Sequence, residues 1–200
     1  MYQRKDALYR KAKGEGLRSR AAFKLEDLDR RLLRPGDRVL DLGCWPGGWL
    51  QVASRRVGDA GRVVGVDLRR LEPIAAANVR LVQGDVAEEG TIEAIDHALE
   101  GPADLVLSDL SPSLSGIRDR DEARASELVR MALGVAERVL RRGGTLVCKV
   151  FMNSEYREMR ELIHGRFADI SATRSRATRK GSAELYVIGR GFRGGGVSSS

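Results

Sequence analysis

Five short apolar runs constrain what this chain can fold into more than any other feature. RVLDLG (38–43), RVVGVDL (62–68), VRLVQGD (79–85), ADLVLSDL (103–110) and GTLVCKVF (144–151) are rich in Val and Leu, and their ends carry Gly43, Asp67, Asp85, Asp109 and Lys149. Runs that are apolar throughout, rather than alternating, suit strands buried on both faces of a helix-covered parallel sheet. Between them the pattern predicts helices over Gly47–Val57, Thr91–Leu99 and Glu122–Arg142, the last with apolar residues at Leu128, Met131, Leu133, Val135, Val139 and Leu140. Ahead of the first run, Ala21, Leu25, Leu28 and Leu32 fall at i, i+4, i+7 and i+11, the core stripe of an amphipathic helix. After the fifth, Ser154–Arg166 reads as helix, and two β-like runs follow at Phe167–Thr173 and Glu184–Gly189. Such alternation predicts an α/β fold with a doubly wound, mostly parallel sheet of seven strands and helices on both faces. The 200 residues fit one domain over 1–192, of which 1–37 form a basic segment and a helix before the first strand. GFRGGGVSSS is flexible in composition and is expected to lack structure, with 193–200 set aside as a tail.

Composition excludes several classes. Hydrophobic residues make up 42% of the chain, yet no apolar run approaches the roughly 18 residues of a membrane span. MYQRKDALYR has no apolar core of a secretory signal. Cys44 and Cys148 lack metal-site spacing and make no disulfide framework, so both are expected as reduced thiols in a cytoplasmic protein without a metal. His97 and His164, the two histidines, stand without a nearby partner and read as ordinary core or surface residues. The formal charge of +7 is unevenly placed: residues 1–38 contribute +6 and 171–193 contribute +5, leaving the rest acidic. A basic excess confined to two segments points to a localised face for nucleic-acid phosphates, although arginine-rich genome composition gives the same counts.

The stretch DLGCWPGGWL (41–50) turns from the first strand into a helix through three glycines and a proline. Glycine admits positive φ and lets a ligand approach bare backbone, so a corner of this kind at the sheet's carboxyl edge makes a nucleotide cradle. Gly43, Gly47 and Gly48 lack the G-x-G-x-x-G spacing of a dinucleotide fold. Asp67, closing the second strand, is placed to accept both ribose hydroxyls of an adenosine, and Asp85, closing the third, can reach an adenine amino group. A lone strand-end aspartate is often only a helix cap. Two at successive strand ends beside a glycine corner fit S-adenosylmethionine, which carries no phosphates.

The fourth strand leads into Asp109-Leu110-Ser111-Pro112, without the Asn/Asp-Pro-Pro-aromatic signature of enzymes that methylate exocyclic amines. Lys149 closes the fifth strand, where an unpaired buried charge would cost several kcal/mol. It must face the cleft or pair with an acid, for which Asp109 is the candidate.

Taken together, GLRSRAAFKL, DLGCWPGGWLQ, VVGVDL, QGD, LVLSDLSPSLSG, GGTLVCKVF and SRATRKGSAELYVIG resemble, in order and spacing, the FtsJ/RrmJ-type ribosomal RNA ribose 2′-O-methyltransferases, over about Ala7 to Phe192. The resemblance implies a class I S-adenosylmethionine-dependent methyltransferase fold, Rossmann-like, and a Lys-Asp-Lys-Glu catalytic tetrad. Matched motif to motif, the tetrad falls on Lys24, Asp109, Lys149 and Glu184. Gly43, Gly47, Trp49, Asp67, Asp85 and Asp109 match as cofactor contacts. Two departures stand out: Trp45 replaces a small residue before Pro46, and Ser111 and Ser113 replace the more familiar Ala and Asn.

A ribose hydroxyl is a poor nucleophile near neutral pH, so a positioned base must take its proton. Lys149 can serve if burial and a second cation favour its neutral form, with Lys24 the candidate cation, Asp109 orienting Lys149, and Glu184 holding Lys24 or the ribose. The resemblance implies ribosomal RNA, or the large ribosomal subunit, as partner, with the 2′-hydroxyl of a uridine as acceptor; a monomer is expected. A transfer RNA ribose methyltransferase of the same family is the rival within the class. A nicotinamide reductase lacks its glycine spacing, and a plain RNA-binding protein has no use for Lys149 and Asp109 at adjacent strand ends.

Overall fold

A computed structural model describes residues 7–28, 31–113, 115–178 and 181–194. Residues 1–6, Arg179 and Lys180 of the two basic segments, and 195–200 of the expected tail, lie outside the described residues.

Helices α1 (Ala7–Gly14) and α2 (Ala22–Leu28) precede strand β1 (Arg38–Leu42), and α3 (Gly48–Val57) leads into β2 (Arg62–Asp67) and β3 (Val79–Gln83). Helix α4 (Glu89–Leu99), β4 (Ala103–Ser108), α5 (Arg118–Val139), β5 (Leu140–Phe151), α6 (Tyr156–His164), β6 (Phe167–Thr173) and β7 (Glu184–Phe192) complete the chain. The sheet has seven strands in the order β3-β2-β1-β4-β5-β7-β6. Strands β1 to β5 pair in parallel, and β7 inserts antiparallel between β5 and β6.

The apolar runs form central strands because both their faces are covered. Leu40, Leu42, Val64, Val66, Val106 and Leu146 pack into one core with α4, α5 and α6. Val39, Val63, Leu105, Leu107 and Val147 face the other core, under α1, α2 and α3. Each Leu or Val so buried contributes roughly 1.5–3 kcal/mol. Gly65 permits the close seating of α3 on β2: a Cβ there would lie 2.7 Å from Leu50 and 2.9 Å from the Cys44 sulfur.

Several boundaries differ from the sequence pattern. Helix α5 begins at Arg118 and stops at Val139, because Leu140 turns extended and pairs with Ala103 while Arg141 Nε binds Asp104 at 2.6 Å. The fifth strand therefore starts four residues earlier than its apolar run. Leu32 joins the core of α2 from outside the helix, ahead of Pro35, whose ring disfavours helix in the residue before it. Helix α6 is shorter than Ser154–Arg166, with Asn153 Oδ1 accepting the Glu155 N–H in a turn before it. Gly191 and Phe192, expected in the tail, extend β7, where Phe192 pairs with Phe167. Helix α1 carries no signal in the periodicity.

Candidate active site

The order β3-β2-β1-β4-β5 reverses its winding between β1 and β4, and parallel sheets open a crevice at the carboxyl ends of strands at such a point. Gly43 leaves β1 there with φ 76°, and a Cβ on it would come within 3.0 Å of Leu110. Asp109 follows β4, its N–H donating to Leu42 O at 3.2 Å. A cleft of about 290 Å³ runs from this point along the ends of β2 and β3, lined by Gly43, Trp45, Asp67, Asp85, Asp109 and Met131 among others. Leu128 and Met131, expected on the core stripe of α5, border the cleft as well.

Asp67 receives the Trp45 N–H on Oδ2 and the Arg69 N–H on Oδ1, both at 2.9 Å. These bonds fix the carboxylate at the cleft wall. Asp85 is set by the Ala87 N–H at 2.9 Å. Trp45 is half exposed and lies over the Arg69 guanidinium, 4.7 Å from its ring centroid, so its bulk rims the mouth of the cleft. Gly47 and Trp49 do not line the cleft. Gly47 has φ 106° and caps α3, with the Arg18 side chain and Ile74 close by. Trp49 is buried, donates Nε1–H to Ala21 O at 2.7 Å and packs 5.7 Å from the Tyr186 ring. It therefore fills a core position under β7.

At the inner end of the cleft the four tetrad positions meet. Lys149, 5% exposed, donates to Asp109 O at 2.7 Å and to Ser111 Oγ, and its Nζ stands 3.2 Å from Asp109 Oδ1. Lys24 Nζ pairs with Glu184 Oε1 at 2.6 Å. The two ion pairs are joined by Tyr186, whose hydroxyl donates to Asp109 Oδ1 at 2.8 Å and accepts from Lys24 Nζ at 3.2 Å. Strand register brings this about, because Lys149 on β5 sits directly opposite Tyr186 on β7. Lys24 therefore meets Asp109 through a phenol, and Glu184 compensates its charge, instead of standing as a bare second cation. Burial first, and the Asp109 and Glu184 carboxylates after it, push the Tyr186 phenol far above its ordinary range, so it stays a donor.

Sequence reasoning missed Tyr186 and Asp41. A tyrosine two residues after Glu184 on the same strand shares its face, which is the signal that could have found it. Asp41 is fully buried in β1 and its carboxylate oxygens have no hydrogen-bond partner among the described residues. Burial, with Asp109 and Asp67 nearby, raises its pKa well above the usual carboxyl range. Cys44 and Cys148 are free and buried, and burial pushes the Cys148 thiol up to about 12, which makes it inert as a nucleophile.

The donor set also decides what the cleft can hold. Asp67, Asp85 and Asp109 present acceptors and negative charge and would repel a diphosphate. They fit a cofactor with ribose hydroxyls, an exocyclic amine and a positive centre. An open α/β sheet with this cleft at its switch point, and a buried lysine at the cleft's end, defines a class I methyltransferase. The chain belongs to the FtsJ-like methyltransferase family, whose pattern it matches over residues 17–192. It is 48% identical over 188 residues to a ribosomal RNA large subunit methyltransferase E of Methanothrix thermoacetophila, covering 93% of this chain and 72% of that protein. It is 44% identical to the enzyme of the same name from Methanothermobacter thermautotrophicus, covering 96% and 92%. Among solved structures, a putative ribosomal RNA methyltransferase from Plasmodium falciparum superposes with a TM-score of 0.76 at 28% identity, covering 89% of this chain and all of the other. Fibrillarin of Aeropyrum pernix, solved with S-adenosyl-L-methionine bound, shares the fold at 18% identity, with a TM-score of 0.56 and coverage of 84% and 73%.

Proposed function

We propose that this methyltransferase uses S-adenosylmethionine to methylate a ribose 2′-hydroxyl of large-subunit ribosomal RNA, on a uridine, acting as a monomer in the cytoplasm. The observation that carries the reading is the bonded chain Lys149–Asp109–Tyr186–Lys24–Glu184 at the inner end of a carboxylate-lined cleft. Asp67 would hold the cofactor's ribose hydroxyls, Asp85 its adenine amine, and Gly43 leaves room for its approach. When bound, the cofactor supplies a methyl group on a sulfonium. Lys149 Nζ, entering the step as the neutral amine, would take the proton of the 2′-hydroxyl as that oxygen is methylated. The ammonium so formed finds Asp109 O, Asp109 Oδ1 and Ser111 Oγ around it, three acceptors for its three N–H groups. Glu184 and Tyr186 hold Lys24 beside the site, where its ammonium can meet the RNA backbone. Much of the acceleration comes from positioning two bound reactants.

The RNA face is supported by how the two basic segments meet. Asp27 at the end of α2 accepts from Ser175 Oγ at 3.1 Å and binds Arg176 Nε at 3.2 Å, which docks the 174–178 loop on the N-terminal segment beside Lys24. The Arg176 side chain itself is 92% exposed.

The test has two arms. Lys149→Ala should keep the fold and cofactor affinity while slowing transfer at least about a hundredfold, the lower range for a positioned base. RNA carrying 2′-deoxyribose at the methylated nucleotide should bind and accept no methyl. Label appearing on its base, or near-normal turnover by Lys149→Ala, refutes the assignment.

A further inference from the structure

A second cleft, of about 370 Å³, opens at the carboxyl edge beside Pro112, Phe151, Met152, Asn153 and Glu122. The Ser111–Ser113 segment divides it from the cofactor cleft: Ser111 and Ser113 line the one, Pro112 the other. The second cleft is lined by close neighbours of Lys149. Phe151 lies two residues beyond Lys149, its ring centroid 6.0 Å from Lys149 Nζ, and Ser111, next to Pro112, touches that nitrogen.

We infer that this cleft receives the nucleobase of the nucleotide whose ribose is methylated. The inference rests on the ribose-transfer reading above, because a 2′-oxygen placed at Lys149 Nζ leaves its own base within one sugar's width of Phe151 and Pro112. The lining suits a base and rejects a phosphate. Phe151, Pro112 and the Met152 side chain, 55% exposed, give apolar surface for a flat ring. Asp121 and Glu122 bring two carboxylates. Hydrogen bonds from Ser115 hold Asp121 below the usual range, and those from Arg118 and Ser154 do the same for Glu122. A phosphate entering here would meet both negative charges, with Arg118 already engaged by Glu122 at 2.7 Å.

The polar edge of the cleft also has a direction. Glu122 Oε1 and Oε2 each accept one bond, from Arg118 and Ser154, and each keeps a lone pair that an imide N–H of a base can fill. Asn153 spends Oδ1 on the Glu155 N–H at 3.1 Å, so its amide NH₂ is the group it offers to a base carbonyl. An acceptor beside a donor matches the N3–H and a carbonyl of uracil. Cytosine can meet the same pair with its N4 amine as donor and N3 as acceptor. The polar edge therefore suits a pyrimidine.

Methionines report on both clefts. Met131 lines the cofactor cleft, Met152 the base cleft, and Met159 is buried at 2% exposure. Protein labelled with ¹³C at the methionine methyls is titrated with the trinucleotide pUpUpU and with an abasic trimer of the same backbone, Met152→Leu identifying the resonance. Uridine trimer should displace the Met152 signal saturably and leave Met159 in place, while the abasic trimer leaves Met152 unmoved. A Met152 signal that answers neither trimer, or both equally, overturns the inference. Separately, Met152→Glu should raise KM for RNA at least about tenfold, the loss of one stacked base, with cofactor affinity by calorimetry unchanged. An unaltered KM overturns it too. If Met152 senses uracil while the methyl lands elsewhere than on a ribose, the transfer reading fails and base binding stands. If ribose is methylated while Met152 stays silent, the base cleft alone fails.

Discussion

Replacing Tyr186 with phenylalanine removes one oxygen from the middle of the bonded chain and leaves the packing of a fully buried ring against Trp49 in place. Two bonds go with it, the 2.8 Å donation to Asp109 and the 3.2 Å acceptance from Lys24. A hydrogen bond to a charged group contributes about 1.5–3 kcal/mol. Lys24 keeps Glu184 at 2.6 Å, so its share of the loss is small, whereas Asp109 loses its one side-chain donor other than Lys149 among the described residues. The expected cost is therefore that of one charged bond, about 2 kcal/mol. For a chain of this size each kcal/mol moves Tm by about 2–4 °C, which gives a fall of about 4–8 °C. Asp109 also orients Lys149, so transfer should slow about tenfold or more while cofactor affinity holds. Thermal melts, calorimetry and single-turnover transfer read the three quantities. Since the phenol stays protonated, the pH profile of Tyr186→Phe should keep the wild-type shape. Wild-type Tm together with wild-type turnover would show that the hydroxyl joins the two ion pairs in geometry only, and the reasoning would fail.

The remaining expectations are briefer. Asp67→Ala should weaken S-adenosylmethionine binding by on the order of 2–4 kcal/mol, the loss of two hydroxyl bonds to a charged acceptor, and unchanged affinity by calorimetry would remove Asp67 from the cofactor site. Asp41 keeps its proton in the folded state to a higher pH than in the unfolded chain, so stability should fall by about 1.4 kcal/mol per unit as pH rises above the ordinary carboxyl range, until the folded carboxyl itself ionises. Asp41→Asn should abolish that fall, with its advantage over the wild type growing in urea titrations as pH rises above the ordinary carboxyl range. Parallel curves would mean the carboxylate is ionised and paired. Neutralising Arg174 and Arg176 should weaken RNA binding across sequences and flatten its salt dependence without touching cofactor affinity; an unaltered salt slope would put those side chains off the RNA face.

Much of this was legible in the chain because its signals are local. Runs that are apolar on both faces gave the parallel strands, and Asp67, Asp85, Asp109 and Lys149 stand at strand ends, where such sheets put their ligands. What could not be read depends on register and packing between distant segments. Tyr186 matters because β7 pairs with β5 one residue at a time, and no periodicity reveals which residue faces Lys149. Trp49 resembles a cofactor contact by motif, yet its indole N–H is spent on Ala21, a partner 28 positions away in sequence. Likewise Leu128 and Met131 fit the apolar stripe of α5, since a core and a cleft wall ask for the same kind of side chain.

The insertion of β7 between β5 and β6 has a consequence for the order in which the molecule can be made. Strands β1 to β5 can line up as they leave a ribosome, but a nascent chain that has reached β6 still lacks the strand that must lie between it and β5. Lys149 and Asp109 are then already in the polypeptide, while Glu184 and Tyr186 have yet to be synthesised, and Lys24 has waited through 160 residues for its carboxylate. On the proposed mechanism, chemistry is thereby withheld until the sheet closes. On the same reading, a product ending before residue 184 would hold Asp67, Asp85, Asp109 and Lys149 but lack the Glu184 and Tyr186 that complete the proposed centre.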